Sequence, residues 1–188
     1  MLLKIVTYAR SFGTGTEDVT HKATQILGGS FVVVDGKVVY CMSGYEGHAL
    51  LAIPTTGKGD VSESILWRAD RGTPYVPSPL LYDGRLYFTQ SNQNILSSLR
   101  ATDGSPAFKR TRVPDLGPIY ASPVAADGRI YLTGRNGTTV VLEHGEEFKV
   151  LATNHLDERF HASAALAGNQ IFLRGMRFLY CLREGEKS

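Results

Sequence analysis

The most regular pattern in the chain is an apolar run, a polar turn and a second apolar run, as in residues 122–132 (SPVAADGRIYL). The second run is rich in β-branched and aromatic residues, which favour strands. The Asp-Gly pair between the runs suits a two-residue hairpin turn whose central residues both have positive φ. The segment therefore predicts a β-hairpin.

This hairpin pattern occurs four times, and the turns recur at intervals in the forties of residues. A period of about 40–50 residues with several short strands per unit is typical of β-propeller blades. Each turn follows a serine by five residues, and a basic or amide residue and three strand formers come after it. The turns are Asp35-Gly36, Asp83-Gly84, Asp127-Gly128 and Gly168-Asn169, and the serines are Ser30, Ser78, Ser122 and Ser163.

Further strand patterns complete each unit. A third strand is predicted at 48–53, 94–99, 138–142 and 178–182, and a fourth, outermost strand at 64–68, 107–110 and 148–152. No segment has sustained helical periodicity. The sequence therefore predicts an all-β fold, a β-propeller of four-stranded antiparallel blades with about four blades in this chain. The repeat units are about 24–70, 71–115, 116–158 and 159–185 of a single domain that spans 1–188.

The last unit has no fourth strand, whereas residues 2–9 form a strand pattern without a blade. Propellers commonly close by pairing a strand from one terminus into the blade built by the other, so residues 2–9 are a candidate closing strand. The four units predict either half of an eight-bladed ring or a small closed ring. Open blade edges expose unpaired N–H and C=O groups, so self-association through them is a second expectation.

Composition narrows the classes of partner. The net charge is +2 with the two signs interspersed, which gives no electrostatic case for nucleic acid. No run approaches the roughly 20 apolar residues of a membrane span. The opening strand pattern carries Lys4 where a signal peptide is apolar, so no signal peptide is predicted. Cys41 and Cys181 each lie in a strand pattern, either as half-buried free thiols or as one disulfide.

The units resemble the pyrroloquinoline-quinone-like (PQQ-like) β-propeller repeat proteins. Unit two carries residues 99–108 (LRATDGSPAF), which match the family pattern L-x-A-x-T-G-x-x-x-W in register with Phe108 at the Trp position, and unit one keeps the aromatic as Trp67. The resemblance covers roughly residues 28–182 and is particularly to bacterial members of the family. It implies an exported, periplasmic location, whereas the residues themselves leave the compartment unknown. Independently of the resemblance, the large aromatic that ends each blade is expected to cover the outer edge of the neighbouring blade.

The family name raises the question of quinone chemistry. Quinone-dependent dehydrogenases of this fold bring a channel Trp, a Ca²⁺ held by carboxylates and amides, an Asp base and often adjacent cysteines. Trp67 is accounted for by its repeat position, and the two cysteines are far apart. The sequence therefore predicts no cofactor, neither PQQ nor Ca²⁺, and a quinone-dependent oxidoreductase is the alternative function.

A candidate ligand site lies just before the repeat serines, at the entrance of the innermost strand of each blade. Propellers bind ligands at this end, and aromatic, basic and His side chains converging there form a plausible site. The alternative is that they are solvated loop residues that pack locally. The candidates are Tyr75, Tyr120, His161, Arg159 and Arg71.

The remaining signals for chemistry are weak. His155 and His161 enclose Asp157 and Glu158, but the spacing matches no recognised zinc site and indicates a solvated loop, so no metal site is predicted. The repeat serines recur for structural reasons, and their hydroxyls are expected to hydrogen-bond backbone between blades. The sequence predicts a non-enzymatic scaffold domain that binds a protein, peptide or glycan, as outer-membrane assembly lipoproteins of similar repeat type do by resemblance.

Overall fold

The computed structural model describes residues 31–44, 47–56 and 61–183. The candidate closing strand at residues 2–9 and Ser30 lie outside these ranges. Within them the chain forms fifteen β-strands and no α-helix. The strands are β1 (Phe31–Val34), β2 (Val38–Ser43), β3 (Ala49–Pro54), β4 (Trp67–Ala69), β5 (Leu80–Tyr82), β6 (Arg85–Thr89), β7 (Ile95–Arg100), β8 (Pro106–Arg112), β9 (Val124–Ala126), β10 (Arg129–Thr133), β11 (Thr138–Glu143), β12 (Val150–His155), β13 (Ala165–Ala167), β14 (Gln170–Arg174) and β15 (Leu179–Arg183).

The strands form four antiparallel sheets in strict chain order, which confirms the predicted blades. Blades 1, 2 and 3 have four strands each: β1–β4, β5–β8 and β9–β12. Blade 4 has three, β13–β15, so its outermost described strand is β15. The first strands β1, β5, β9 and β13 contact one another from blade to blade, which makes them the innermost strands.

Two of the predicted Asp-Gly turns have the expected geometry. Asp83 and Gly84 have φ of 42° and 71°, and Asp127 and Gly128 have 50° and 69°, so both central residues lie in the left-handed region. The first turn is built differently, because there the Asp35 carboxylate accepts hydrogen bonds from the backbone N–H groups of Lys37 and Val38. The turn residues therefore act structurally.

The blades stack through the apolar faces that strand alternation creates. The apolar cluster between blades 2 and 3, which we call the thick junction, contains ten buried residues, whereas the cluster between blades 3 and 4, the thin junction, contains three. Strand β10 shows the alternation: Ile130 and Leu132 are fully buried against blade 2, while Tyr131 points to the other side and is half-buried. The alternation thus supplies one face of each blade to each neighbour.

The aromatic residues that end blades 1 and 2 cover the next blade, as expected from their size and repeat position. The indole N–H of Trp67 in blade 1 donates to the carbonyl of Ala101 in blade 2 at 3.0 Å. Gly104 lies against the same ring, and a Cβ there would come within 2.5 Å of it. Phe108 of blade 2 packs edge-on against Phe148 of blade 3, with ring centroids 5.6 Å apart.

The repeat serines form a chain of hydrogen bonds from blade to blade. The hydroxyl oxygen of Ser122 accepts from the backbone N–H of Ser78 at 2.8 Å, and that of Ser163 accepts from the N–H of Ser122 at 2.9 Å. The predicted structural role of these two hydroxyls is confirmed.

The described residues form an open arc, in which blades 1 and 4 each have one neighbouring blade rather than two. They form no closed four-bladed ring. The two cysteines are not bonded to each other. Burial raises the pKa of the Cys41 thiol to about 11, whereas Cys181 on β15 is exposed rather than half-buried as expected. No helix in the described ranges is long and apolar enough to cross a membrane.

A candidate ligand cleft at the junction of blades 3 and 4

The strands of each blade have two ends, and the loops at these two ends are built differently. At one end the Asp-Gly turns meet the turns between third and fourth strands. The N–H of His144, for example, donates there to the carbonyl of Gly128. At the other, which we call the loop end, the loops between second and third strands meet the connections that enter the next blade. The N–H of Arg135 donates there to the carbonyl of Pro118 at 2.8 Å. All five candidate ligand residues are at the loop end.

These candidates do not form one site. Arg71 and Tyr75 lie in the connection from blade 1 to blade 2, and both are exposed. Tyr120, Arg159 and His161 belong to the connections that enter blades 3 and 4. These residues precede the innermost strands rather than lie on them, because β5, β9 and β13 each begin two residues after the repeat serine. Side chains on a strand must alternate between the two faces of the sheet, whereas side chains on a connection can also point toward solvent.

Tyr120 and His161 are brought together by a residue that sequence reasoning missed, Arg135. Its Nε donates to His161 Nε2 at 3.0 Å, and its guanidinium carbon lies 4.4 Å from the centre of the Tyr120 ring. The Tyr120 and His161 rings are themselves 5.5 Å apart. The arginine is thus held in place by one hydrogen bond and one cation–π contact.

Glu158 forms the base of the same region. The sequence predicted a solvated loop here, but Glu158 is buried, at 8% exposure. Three N–H donors account for this burial. Its carboxylate accepts from the backbone N–H of Arg159 at 2.8 Å, the backbone N–H of Arg177 at 3.1 Å and Arg177 Nε at 3.4 Å. The Arg159 N–H and the charge and N–H groups of Arg177 hold the pKa of the Glu158 carboxyl below its usual range, against an opposing effect of desolvation.

Two glycines make room for this arrangement. Gly175 lies against Glu158, and a Cβ there would come within 2.3 Å of the Glu158 side chain. Gly137 has a φ of 88°, and its Cβ would come within 2.1 Å of the carbonyl oxygen of Leu156. Glycine is required at both positions because the loops of blades 3 and 4 approach the connection between them closely.

The loops and the connection together line an open cleft of about 530 Å³, which we call the Arg135 cleft. Three of its lining residues are arginines and two are carboxylates. Two of the five predicted site residues, Arg159 and His161, line it, and Tyr120 stands behind Arg135. The lining residues are Arg135, Asn136, Asp157, Glu158, Arg159, His161, Met176 and Arg177.

The part that sequence reasoning missed comes from the loops of two different blades. Arg135 directly follows Gly134 in the loop between the second and third strands of blade 3. In the same loop of blade 4 the position after Gly175 is Met176, and Arg177 lies one residue further along. The two arginines therefore do not share a repeat position that a sequence pattern could identify.

The described residues contain no group of three or more His, Cys, Asp and Glu side chains placed to hold a metal ion. His155 and His161 in particular have different partners. His155 lies 3.5 Å from the Thr138 hydroxyl, while His161 is bonded to Arg135. The groups that line the cleft include arginine donors, two carboxylates, the His161 imidazole and the exposed thioether of Met176.

No protein-family model matches the chain, and no curated protein matches it. Solved structures resemble it in fold. BamB from Moraxella catarrhalis superposes with a TM-score of 0.63 at 12% identity, over 82% of this chain and 45% of BamB. The computationally designed Ika4 protein gives 0.64 at 10% identity, over 82% of this chain and 89% of Ika4. A europium-containing methanol dehydrogenase gives 0.53 at 14% identity, over 66% of this chain and 24% of the enzyme.

At these identities the likeness establishes the fold alone. This chain spans less than half the length of BamB and a smaller share of the dehydrogenase, but most of the length of Ika4. The four antiparallel sheets and these neighbours agree with the resemblance noted in the repeats. The chain has the fold of a PQQ-like β-propeller, and its described residues form an arc of four blades.

Proposed function

We propose that this chain is a non-enzymatic binding module that recognises a protein or peptide partner at its loop end, with the Arg135 cleft as the contact site. The observation that carries the proposal is the organisation of the cleft. The side chains of Arg135 and Arg177 are held by specific contacts, yet they leave a concave space of about 530 Å³, which is within the usual range for ligand sites.

The fold is neutral on this question, because blades of this type occur both in BamB and in a methanol dehydrogenase. The side chains favour binding over catalysis. His161 is the one imidazole in the cleft lining, and its Nε2 is occupied by Arg135. Glu158 is committed to three N–H donors. Neither group is placed as a free general base beside a nucleophile.

Selection from a random peptide library displayed on phage tests the proposal. Peptides enriched on the full chain are expected to lose binding to the double variant Tyr120→Ala/Arg159→Ala. They should keep binding to a control variant at the other end of blade 3, Arg129→Ala. Both variants are first checked for cooperative thermal unfolding. Selected peptides that bind all three proteins equally, or no enrichment at all, would contradict the proposal.

The oxidoreductase alternative is separated by a ligand-induced stability shift. Anything that binds the native state raises the melting temperature by mass action. On the binding-module proposal, PQQ and Ca²⁺ at saturating concentration leave the melting temperature of the full chain unchanged. A concentration-dependent rise would favour the quinone-dependent function instead.

A further inference from the structure

We propose that the Arg135 cleft binds an acidic peptide segment, with one carboxylate of the peptide held between Arg135 and Arg159 and a neighbouring apolar side chain against Met176. This inference rests on the proposed function and specifies the chemistry of the partner. It is carried by the positions of the two arginines and by the mixed character of the remaining cleft wall.

Arg135 is pre-organised to receive an anion. Its Nε is used by His161 and its guanidinium face by Tyr120, but its two terminal nitrogens make no hydrogen bond or ion pair within the described residues. These nitrogens form the edge of the planar fork that matches a carboxylate. Little side-chain entropy remains to be lost at Arg135, since its orientation is already fixed.

The contact to His161 also fixes a charge state. An arginine Nε can only donate, so His161 Nε2 must accept and the imidazole proton must be on Nδ1. His161 is therefore neutral in this arrangement. The positive charge at this wall of the cleft belongs to Arg135 alone.

Arg159 supplies the second unpaired cation. Its backbone is anchored on both sides, because its N–H donates to Glu158 and its carbonyl accepts from the N–H of Met176 at 3.1 Å. The guanidinium itself is exposed and makes no hydrogen bond or ion pair within the described ranges. Glu158 does not neutralise it, since that carboxylate is already satisfied by two backbone N–H groups and Arg177.

The rest of the wall favours a peptide over a free anion. The Asp157 carboxylate also lines the cleft, where it can accept a peptide N–H. Met176 is 61% exposed at the rim, and Phe178 beside it is 58% exposed under the Arg177 guanidinium. Exposed apolar side chains beside cations match a peptide in which acidic and apolar residues are adjacent.

Fluorescence anisotropy with the full chain and a labelled hexapeptide of alternating leucine and glutamate tests the inference. Arg159→Gln and Arg135→Gln should each weaken binding about tenfold, since each removes a charge-assisted contact of roughly 1.4 kcal/mol. Arg129→Gln is the matched control, an exposed arginine at the start of β10 and at the opposite end of the blade, and should leave the affinity unchanged. The same peptide with glutamine in place of glutamate should bind about tenfold more weakly to the unaltered chain.

The variant Arg135→Lys distinguishes a loss of binding caused by the missing charge from one caused by a disturbed structure. It keeps the charge but loses the fork and the stacking on Tyr120, so its affinity should lie between that of the unaltered chain and that of Arg135→Gln. The inference is overturned if the glutamine peptide binds as well as the glutamate peptide, if Arg129→Gln weakens binding as much as Arg159→Gln, or if inorganic phosphate displaces the peptide better than sodium chloride does at equal ionic strength. If the phage selection yields peptides without acidic residues that still need Tyr120 and Arg159, this inference fails while the proposed function stands.

Discussion

The two junctions that flank blade 3 are built from the same repeat in different ways. The junction with blade 2 buries ten residues in one apolar cluster, and its edge carries the Glu146 carboxylate between Arg85 and Arg100. The junction with blade 4 buries three residues and is tied by the polar contacts of Glu158. The Arg135 cleft lies at the second junction. In this arc the space for a ligand therefore lies at the junction where fewer apolar residues are buried between the blades.

The largest expected effect that tests this contrast is on stability. Leu132→Ala in the thick junction should cost about 4 kcal/mol, because a fully buried leucine leaves a cavity among close neighbours. Leu173→Ala in the thin junction should cost about 2 kcal/mol, since fewer buried neighbours surround it. Urea unfolding of the two variants measures both values. Equal losses would show that the two junctions contribute equally.

Glu158 gives a second, smaller effect with a defined pH dependence. Its folded-state pKa is lowered, so its contribution to stability is complete above the unfolded-state value of 4.5 and is lost as pH falls through the lower folded-state value. Glu158→Gln should therefore destabilise the chain at neutral pH and less so in acid. Urea midpoints at several pH values for both proteins provide the measurement. A constant difference across pH would mean that the carboxylate charge has no role.

The smallest effect tests the polar edge of the thick junction. The buried Tyr87 hydroxyl is 2.9 Å from His144 Nδ1 and accepts from the N–H of Gly145. Tyr87→Phe should cost about 1 kcal/mol, the usual value of such a hydrogen bond. Tyr131→Phe, a half-buried tyrosine whose hydroxyl makes no hydrogen bond within the described residues, is the control and should be nearly neutral. A loss of similar size in both variants would contradict this role.

Most of the fold was predictable because it is encoded locally and repeated. The Asp-Gly turns, the alternation along β10 and the aromatic positions of Trp67 and Phe108 each depend on a few adjacent residues. Four copies of the pattern make each of them recognisable. The serine hydrogen bonds between blades were predictable for the same reason, since the hydroxyls of Ser122 and Ser163 occupy the same repeat position and each meets the backbone N–H of the preceding unit's serine.

The site was predictable only in part, because it depends on loops that do not repeat. Tyr120, Arg159 and His161 were identified from their position before the repeat serines, but Arg71 and Tyr75 lie elsewhere on the loop end. Arg135 and Arg177 enter the cleft from separate blades, and no local pattern relates them to Glu158. The burial of Glu158 also has no sequence signature, since it follows from N–H donors that lie up to 19 residues away.

The hydrogen bonds between the repeat serines all run in the same direction, from the N–H of one unit to the hydroxyl of the next. Ser122 donates its N–H toward the following blade and accepts, through its hydroxyl, from the preceding one, so the two sides of a blade are not interchangeable. Contacts of this head-to-tail kind can be extended by copying one unit, because each new blade brings both halves of the contact with it. Tandem duplication of a blade would therefore keep this pattern of serine hydrogen bonds intact. Variation is then free to accumulate in the loops, where the arginines of blades 3 and 4 are found.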